Sequence, residues 1–290
     1  MKSVQQLMTR LAAVEDFLYF GGEFAAVKPG QLPLTIAPPY YKGLERYVRR
    51  TVVAETDFRS TDARPNKRAQ DYIKKINVGR VIEGSYLVTV HLPLESFTKS
   101  PLGRSVWQRI LRCMNVLDEA TARNSEAPLL ALGDVGWSAP MCEAMGELIE
   151  QTDAIEIKAH VSPNSAYPSQ PTVSALNAGF TVSPGKTVDI LGRAISVLRG
   201  IPEEQRETVT GFLYSAEDRE LAKQGDTRVV KIRWERPGHD PVTVSAELDP
   251  ERYKQALEAL RSRTPVSVSG VLTRRGVHLY LLPESQIALT

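Results

Sequence analysis

Three residues in the middle of the chain have the types that a magnesium-dependent nuclease uses. Asp134 and Glu156 are carboxylates able to hold Mg²⁺, and Lys158 is able to polarise the attacking water. Glu156 and Lys158 stand two apart on a predicted strand, so both side chains leave the same face. Such nucleases place the Asp on an adjacent strand, whereas here a predicted helix intervenes. We favour a surface ion pair between Glu156 and Lys158 and keep the nuclease as an alternative.

Two other motifs resemble catalytic sequences but depart from the required pattern. Ser138 stands in Gly-Trp-Ser-Ala-Pro, where a nucleophile elbow needs Gly in place of Pro140. The Gly-Lys-Thr at 185–187 resembles the end of a phosphate-binding loop, but the preceding glycine is one residue too far away. We expect Ser138 to be a helix N-cap and residues 183–187 to be a turn that enters a helix.

Residues 41–80 form a basic segment with aromatic residues in it. The segment has eleven Lys and Arg against five Asp and Glu, a local net charge of +6 in a chain of +2. Basic side chains neutralise phosphates and aromatic rings stack on bases, so this composition suits DNA or RNA. A solvated surface or a contact with an acidic protein has the same composition. The aromatic residues within or beside the segment are Tyr40, Tyr41, Tyr47, Phe58 and Tyr72.

The last 80 residues alternate as a small β-barrel does. Strands are predicted at 209–215, 228–235, 242–248, 266–272 and 277–281, and a helix follows the capping Asp249. The order strand, strand, strand, helix, strand, strand resembles the OB-fold, whose second and third strands form the usual ligand face. The side chains expected near that face are Lys231, Arg233, Arg274, Arg275, Tyr214 and Tyr280. Acidic residues after the first strand oppose nucleic-acid binding there, namely Glu217, Asp218, Glu220 and Asp226.

The first 200 residues mix helices and strands without strict alternation, which predicts an α+β domain. An amphipathic helix is expected over 1–20, and residues 31–41 are expected to be a loop or an interaction segment. Further helices are predicted at 66–78, 102–122, 139–150 and 184–198, and strands at 85–94 and 154–161. A polar stretch opened by Gly200 and Pro202 predicts the boundary between a domain at 1–202 and a barrel domain at 203–290.

The composition excludes several classes of protein. Two cysteines and four scattered histidines are too few for a disulfide framework or a zinc centre, so we expect no metal and no cofactor. No run of 18 apolar residues is present, and charges at Arg10, Glu15 and Asp16 interrupt the N-terminal apolar positions. These features predict a cytoplasmic protein without a membrane segment or a secretion signal.

Residues 68–73 (RAQDYI) and 84–90 (GSYLVTV) resemble uncharacterised bacterial proteins whose settings suggest multi-gene systems such as phage defence. The resemblance implies a subunit of a protein complex and supplies no catalytic residue. We therefore expect a non-enzymatic protein that binds DNA or RNA, or an adaptor that docks onto other subunits. The alternatives are the nuclease and a scaffold without nucleic-acid contact. Phosphate contacts are expected from Arg49, Arg50, Lys67, Arg68, Lys74, Lys75, Lys231, Arg233, Arg274 and Arg275.

Overall fold

The computed structural model confirms an α+β protein, with helices and antiparallel sheets in the first part and a closed five-stranded barrel in the last. The chain divides into two compact units, unit 1 (Met1–Ala194) and unit 2 (Ile195–Thr290). The structure describes residues 15–24, 34–58, 65–79, 87–94, 101–160, 180–201, 204–221, 225–237, 239–283 and 288–289.

Unit 1 contains a five-stranded sheet whose neighbouring strands are all antiparallel, in the order β2-β3-β1-β4-β5. Its strands are β1 (Glu15–Glu23), β2 (Asn77–Val78), β3 (Leu87–Pro93), β4 (Ala154–His160) and β5 (Phe180–Val182). Leu18 and Phe20 on β1 and Ile157 on β4 are fully buried, and they point to one face of the sheet. This inner face carries the core of unit 1.

Helices pack on the inner face of this sheet or on one another. They are α1 (Ala37–Thr56), α2 (Lys67–Ile73), α3 (Leu102–Arg123), α4 (Ala127–Ala131), α5 (Ala139–Ile149) and α6 (Lys186–Arg199), whose last turn is grouped with unit 2. Arg104 of α3 reaches the buried Asp16 of β1, with Nη2 3.0 Å from Oδ1. Tyr47 of α1 contacts Phe20 edge to face. If the additional helices are left aside, the element order β1-α1-β2-β3-α3-β4 matches that of a split βαβ sheet.

The N-terminal prediction is wrong where it can be checked. Residues 15–20 belong to β1 and not to a helix, and the rest of the predicted helix lies outside the described residues. Asp16, Leu18 and Phe20 alternate with Phe17 and Tyr19, and β1 pairs with β3 on one side and β4 on the other. Pairing on both edges and aromatic side chains favour a strand over the helical spacing.

Unit 2 is the closed barrel. Its elements are β6 (Arg206–Leu221), β7 (Gly225–Trp234), β8 (Val242–Leu248), α7 (Pro250–Ser262), β9 (Val266–Arg275) and β10 (His278–Pro283), and β11 (Ala288–Leu289) adds to β9. The strand order is β10-β8-β7-β6-β9, and the pairing of β9 with β10 closes the circle. The contact between β8 and β10 is parallel, and the other pairings of the barrel are antiparallel.

The period of two along these strands gives the barrel an inside and an outside. Val209, Ile232, Val244 and Val268 are fully buried in the interior. Gly211 lies where β6 meets β7, and a Cβ atom there would stand 1.9 Å from the carbonyl oxygen of Arg233, so only glycine fits. After it, β6 has an irregularity between Leu213 and Ser215 that shifts the register and displaces Tyr214 from the regular alternation.

Helix α7 follows the third barrel strand, as the sequence predicts. The carboxylate of Asp249 accepts a hydrogen bond from the backbone N–H of Arg252 at 2.9 Å, and Pro250 occupies the first turn. Tyr253, Ala256 and Ala259 are its buried side chains, and they join the interior cluster of the barrel. The barrel is therefore closed and filled, so a ligand has access only to its outer surface and its loops.

Candidate nucleic-acid interface

The three residues of the nuclease alternative do not form one site. Glu156 and Lys158 lie on the outer face of β4, and Lys158 Nζ is 2.8 Å from Glu156 Oε1. Asp134 lies in a short 3₁₀ turn between α4 and α5, where its backbone oxygen accepts a hydrogen bond from Arg109 Nη2 of α3. Helix α3 packs on the inner face, so Asp134 is on the opposite side of the sheet from Glu156. Within the described ranges, no group of three or more His, Cys, Asp or Glu is arranged to hold a metal ion.

The two other motifs have structural roles in unit 1. Ser138 is the N-cap residue of α5 and is buried, and its hydroxyl has no hydrogen-bond partner among the described residues. Residues 183–187 form the expected turn into α6, with Gly185 at a φ of 78°. A cavity of about 280 Å³ lies beside this turn and against α3. The hydroxyl of Thr187 is buried there, 3.5 Å from that of Thr121.

The described part of the basic segment lies mainly on α1, α2 and the turn after α2, and several of its cations face solvent, whereas Arg46 pairs with Glu147 of α5. Arg49 is 3.4 Å from Glu45 and Lys74 is 3.5 Å from Asp71, so both cations are partly neutralised by neighbours on the same helix. Arg50 is half-buried and Lys75 is exposed. Lys67 and Arg68 are exposed at the start of α2 and have no side-chain partner in the described part of the chain. The segment therefore offers phosphate contacts at scattered positions.

Three of the aromatic residues within or beside the basic segment are not available for stacking. Tyr40, Tyr47 and Tyr72 are at most 1% exposed, and burial raises the pKa of Tyr40 and Tyr47 above the usual range. Tyr40 and Tyr47 share the inward stripe of α1, and Tyr72 donates a hydrogen bond from its hydroxyl to the carbonyl oxygen of Pro93. The Arg109 guanidinium lies over the ring of Phe58. Three of the five aromatic residues named for this segment therefore belong to the core, while Tyr41 is 38% exposed.

The outer face of the barrel shows the opposite arrangement. Phe212 is 44% exposed and Tyr214 is 53% exposed, both on β6. Phe212 stands opposite Arg233 of β7, and Arg233 stands opposite Thr243 of β8. The hydroxyl of Tyr214 reaches across β7 and donates a hydrogen bond to Thr243 Oγ1 at 3.2 Å. We call these four residues the aromatic row.

Arg233 is the exposed cation of the aromatic row. It has no hydrogen-bond or ion-pair partner among the residues that the structure describes. Glu235 is exposed two positions further along the chain, and no ion pair joins the two side chains in the described structure. A guanidinium beside two aromatic rings can bind a phosphate while the rings stack on bases.

The other three barrel cations that the sequence singles out are held by neighbours. Lys231 Nζ is 3.1 Å from Glu217 Oε1, and Arg275 Nη1 is 2.7 Å from Glu247 Oε1. Arg275 also lies over the ring of Tyr280, with 4.7 Å to the centroid. Arg274 donates to the hydroxyl of Ser196 and to the carbonyl oxygen of Val277. Of the four barrel cations that the sequence singles out, Arg233 therefore is the one without a partner among the described residues.

The sequence does not single out Phe212, although the alternation of β6 contains the signal. Val209, Gly211 and Leu213 point inward, so Phe212 between them must point outward. A large apolar ring at an outward position has no folding role to explain it. The large ring at an outward position, rather than a local excess of charge, is the sequence signal for this binding surface.

Comparison with known proteins gives no family for this chain. No protein-family model matches it, and no curated protein matches it with significant similarity. A scan of the described helices finds none with both the length and the apolar character that crossing a membrane requires. The functional inference is therefore built on the geometry of the aromatic row.

Proposed function

We propose that this protein is a non-enzymatic nucleic-acid-binding protein, and that the outer face of its C-terminal barrel is the binding surface. The observation that carries the proposal is the aromatic row, in which two exposed rings flank an unpaired arginine. Stacking on aromatic side chains together with a guanidinium–phosphate contact is the usual way to hold an unpaired strand. Neither the rings nor Arg233 is explained by the stability of the barrel, whose interior is already filled.

The connectivity of the barrel supports this proposal. Five strands closed into a barrel, with a helix between the third and fourth, are arranged as in OB-folds, which commonly bind oligonucleotides on their outer face. We therefore propose an OB-like module. The fold alone says little about function, since one fold serves many functions. The proposal therefore rests mainly on the side chains of the aromatic row.

The cations of unit 1 have a secondary place in the proposal. Lys67 and Arg68 are exposed and unpaired in the described structure, and they can contact the phosphates of a longer strand. Such contacts position a strand without reading its sequence. The resemblance of residues 68–73 and 84–90 to bacterial proteins of multi-gene systems suggests that the protein acts as a subunit beside other proteins in the bacterial cytoplasm, including in phage defence.

Binding of labelled single-stranded DNA and RNA, followed by fluorescence anisotropy at low salt, tests the proposal. The wild-type protein is compared with Phe212→Ala and Tyr214→Ala, and Tyr41→Ala is the control because Tyr41 is a partly exposed ring of unit 1. We expect binding by the wild type and the control, and weaker binding by the two barrel variants. No anisotropy change with any nucleic acid would favour a protein-binding scaffold instead.

The same samples test the nuclease alternative. We expect the labelled strands to remain intact after incubation with Mg²⁺, because Asp134 and Glu156 lie on opposite sides of the sheet. Cleavage that needs Mg²⁺ and disappears in Glu156→Ala would contradict the proposal that the protein is not an enzyme.

A further inference from the structure

The outer face of the barrel changes its chemical character along β7. Glu217 of β6 stands opposite Val229 of β7, and Val229 stands opposite Glu247 of β8. Residues directly opposite each other share a face of the sheet, so the two carboxylates flank Val229 on the outside. We call these three residues the acidic row. It lies four residues from Arg233 along β7, about 13 Å at the rise of a β-strand.

Each carboxylate of the acidic row pairs with a cation. Glu217 pairs with Lys231, and Glu247 pairs with Arg275 at distances typical of hydrogen-bonded ion pairs. Arg275 in turn covers the ring of Tyr280. Two cations and one ring that lie close to the aromatic row are thus already occupied. A phosphate that approached Lys231 or Arg275 would have to displace a carboxylate of the same charge.

We infer that Glu217 and Glu247 end the binding surface, so that the barrel holds a short unpaired stretch of nucleic acid at the aromatic row. This inference rests on the proposed function and adds the form and the length of the ligand. Rings on a surface stack only on bases that are not paired, which favours a single strand over a duplex. With Arg233 as the one unpaired cation of the aromatic row, stacking supplies most of the affinity and about one phosphate is neutralised there.

The inference predicts a gain of binding when the carboxylates are neutralised. Glu217→Gln and Glu247→Gln, alone and together, keep the size of the side chains and release Lys231 and Arg275. Both ion pairs are partly exposed, so their loss costs little stability, and circular dichroism checks the fold. Glu258→Gln is the matched control, because Glu258 is an exposed carboxylate of α7 outside the strand face.

The experiment measures fluorescence anisotropy with labelled oligothymidylates of increasing length and at several salt concentrations. For the wild type and Glu258→Gln we expect affinity for the barrel face to level off at a short length. For the double variant we expect affinity to keep rising with length. Two more phosphates neutralised make the slope of log K against log salt steeper by about 1.4, since each phosphate of a single strand contributes about 0.7.

The outcomes separate this inference from the proposed function. If no variant binds any oligonucleotide, the proposed function fails. If Phe212→Ala weakens binding but the double Gln variant has the length dependence and salt slope of the wild type, the acidic row does not limit the site and only the inference fails. Binding of a blunt duplex as tightly as a single strand of the same length, lost in Phe212→Ala, also overturns the inference.

Discussion

Tyr47 in the basic segment is fully buried, whereas Tyr214 on the barrel is more than half exposed. Both stand near arginines, and both belong to regions whose composition suits nucleic acid. In the basic segment the rings stabilise unit 1 and the cations remain at its surface. On the barrel the rings face solvent, and three of the four cations that the sequence singles out are held by neighbours.

The difference shows that a basic and aromatic composition does not define a binding surface by itself. On α1, aromatic and apolar residues recur at positions 40, 44, 47 and 48, the spacing of one helix face, and that face packs on a sheet. On β6 the period is two, and the side chains of Val209 and Leu213 point into the interior on either side of Gly211. A ring on the outward side of β6 is therefore available to a binding partner.

The largest effect expected from this contrast is on stability. Tyr47→Ala removes a fully buried ring and leaves a cavity beside Phe20 and Trp137, so we expect a loss of about 3–5 kcal/mol in the free energy of unfolding. Tyr214→Ala removes an exposed ring, and we expect a change within about 0.5 kcal/mol. Urea unfolding followed by circular dichroism measures both. Equal losses in the two variants would mean that Tyr214 belongs to the fold and not to a binding surface.

The next largest effect is on binding. Here we expect a ring removed from the barrel to matter more than a ring removed from unit 1. Phe212→Ala should weaken single-strand binding by about 1–3 kcal/mol, the range for the loss of one base–ring stack. Tyr41→Ala, in the basic segment, should leave affinity within error, because its ring is only 38% exposed and contacts Tyr40. Anisotropy titrations at one fixed salt concentration compare the two. A larger loss in Tyr41→Ala than in Phe212→Ala would move the interface to unit 1.

The buried thiol of Cys113, beside the aromatic core of unit 1, makes the stability of this unit depend on pH. Burial raises the pKa of Cys113 from 9.0 to about 12. Above pH 9 the unfolded thiol releases its proton and the folded one keeps it, so unit 1 loses stability as the pH rises from 9 towards 12. Between pH 8 and pH 10 we expect this group to lower the free energy of unfolding by about 1 kcal/mol.

Urea unfolding at the two pH values, with Cys113→Ala as the reference, measures this effect. The alanine variant is less stable overall but should lose about 1 kcal/mol less than the wild type between pH 8 and pH 10. Equal pH dependence in both proteins would mean that the thiol ionises as easily in the folded as in the unfolded chain.

The sequence predicts those elements whose local pattern agrees with their packing. Helix α3, helix α5 and strand β8 begin and end within one residue of their predicted limits, since capping and periodicity point the same way. Helix α1 was not predicted. Its Pro38, Pro39 and run of Thr51, Val52 and Val53 are poor helix signals, and burial of its inward stripe against the sheet and α5 decides its conformation.

The candidate site could be predicted in part. The pattern of β7 places Arg233 outward, and the structure agrees. Whether Lys231, Arg274 and Arg275 are available could not be predicted, because their partners are distant in the sequence. The folding of the barrel strands brings Glu217 and Glu247 near, and Ser196 comes from helix α6. The separation of Asp134 from Glu156 has the same origin, since it depends on which face of the sheet each element occupies.

The smallest effect concerns the cations of the basic segment. Lys67→Gln removes one exposed charge at the start of α2, a position without a partner in the described structure. For a long oligonucleotide, which extends well beyond the aromatic row, we expect the slope of log K against log salt to become less steep by about 0.7, one phosphate contact. For an oligonucleotide of three bases the slope should not change, because such a strand occupies only the aromatic row. Arg233→Gln should instead reduce the slope at both lengths. If Lys67→Gln and Arg233→Gln change the slope equally with the three-base strand, the short ligand binds both regions alike, and the contrast between the basic segment and the barrel face does not hold for binding.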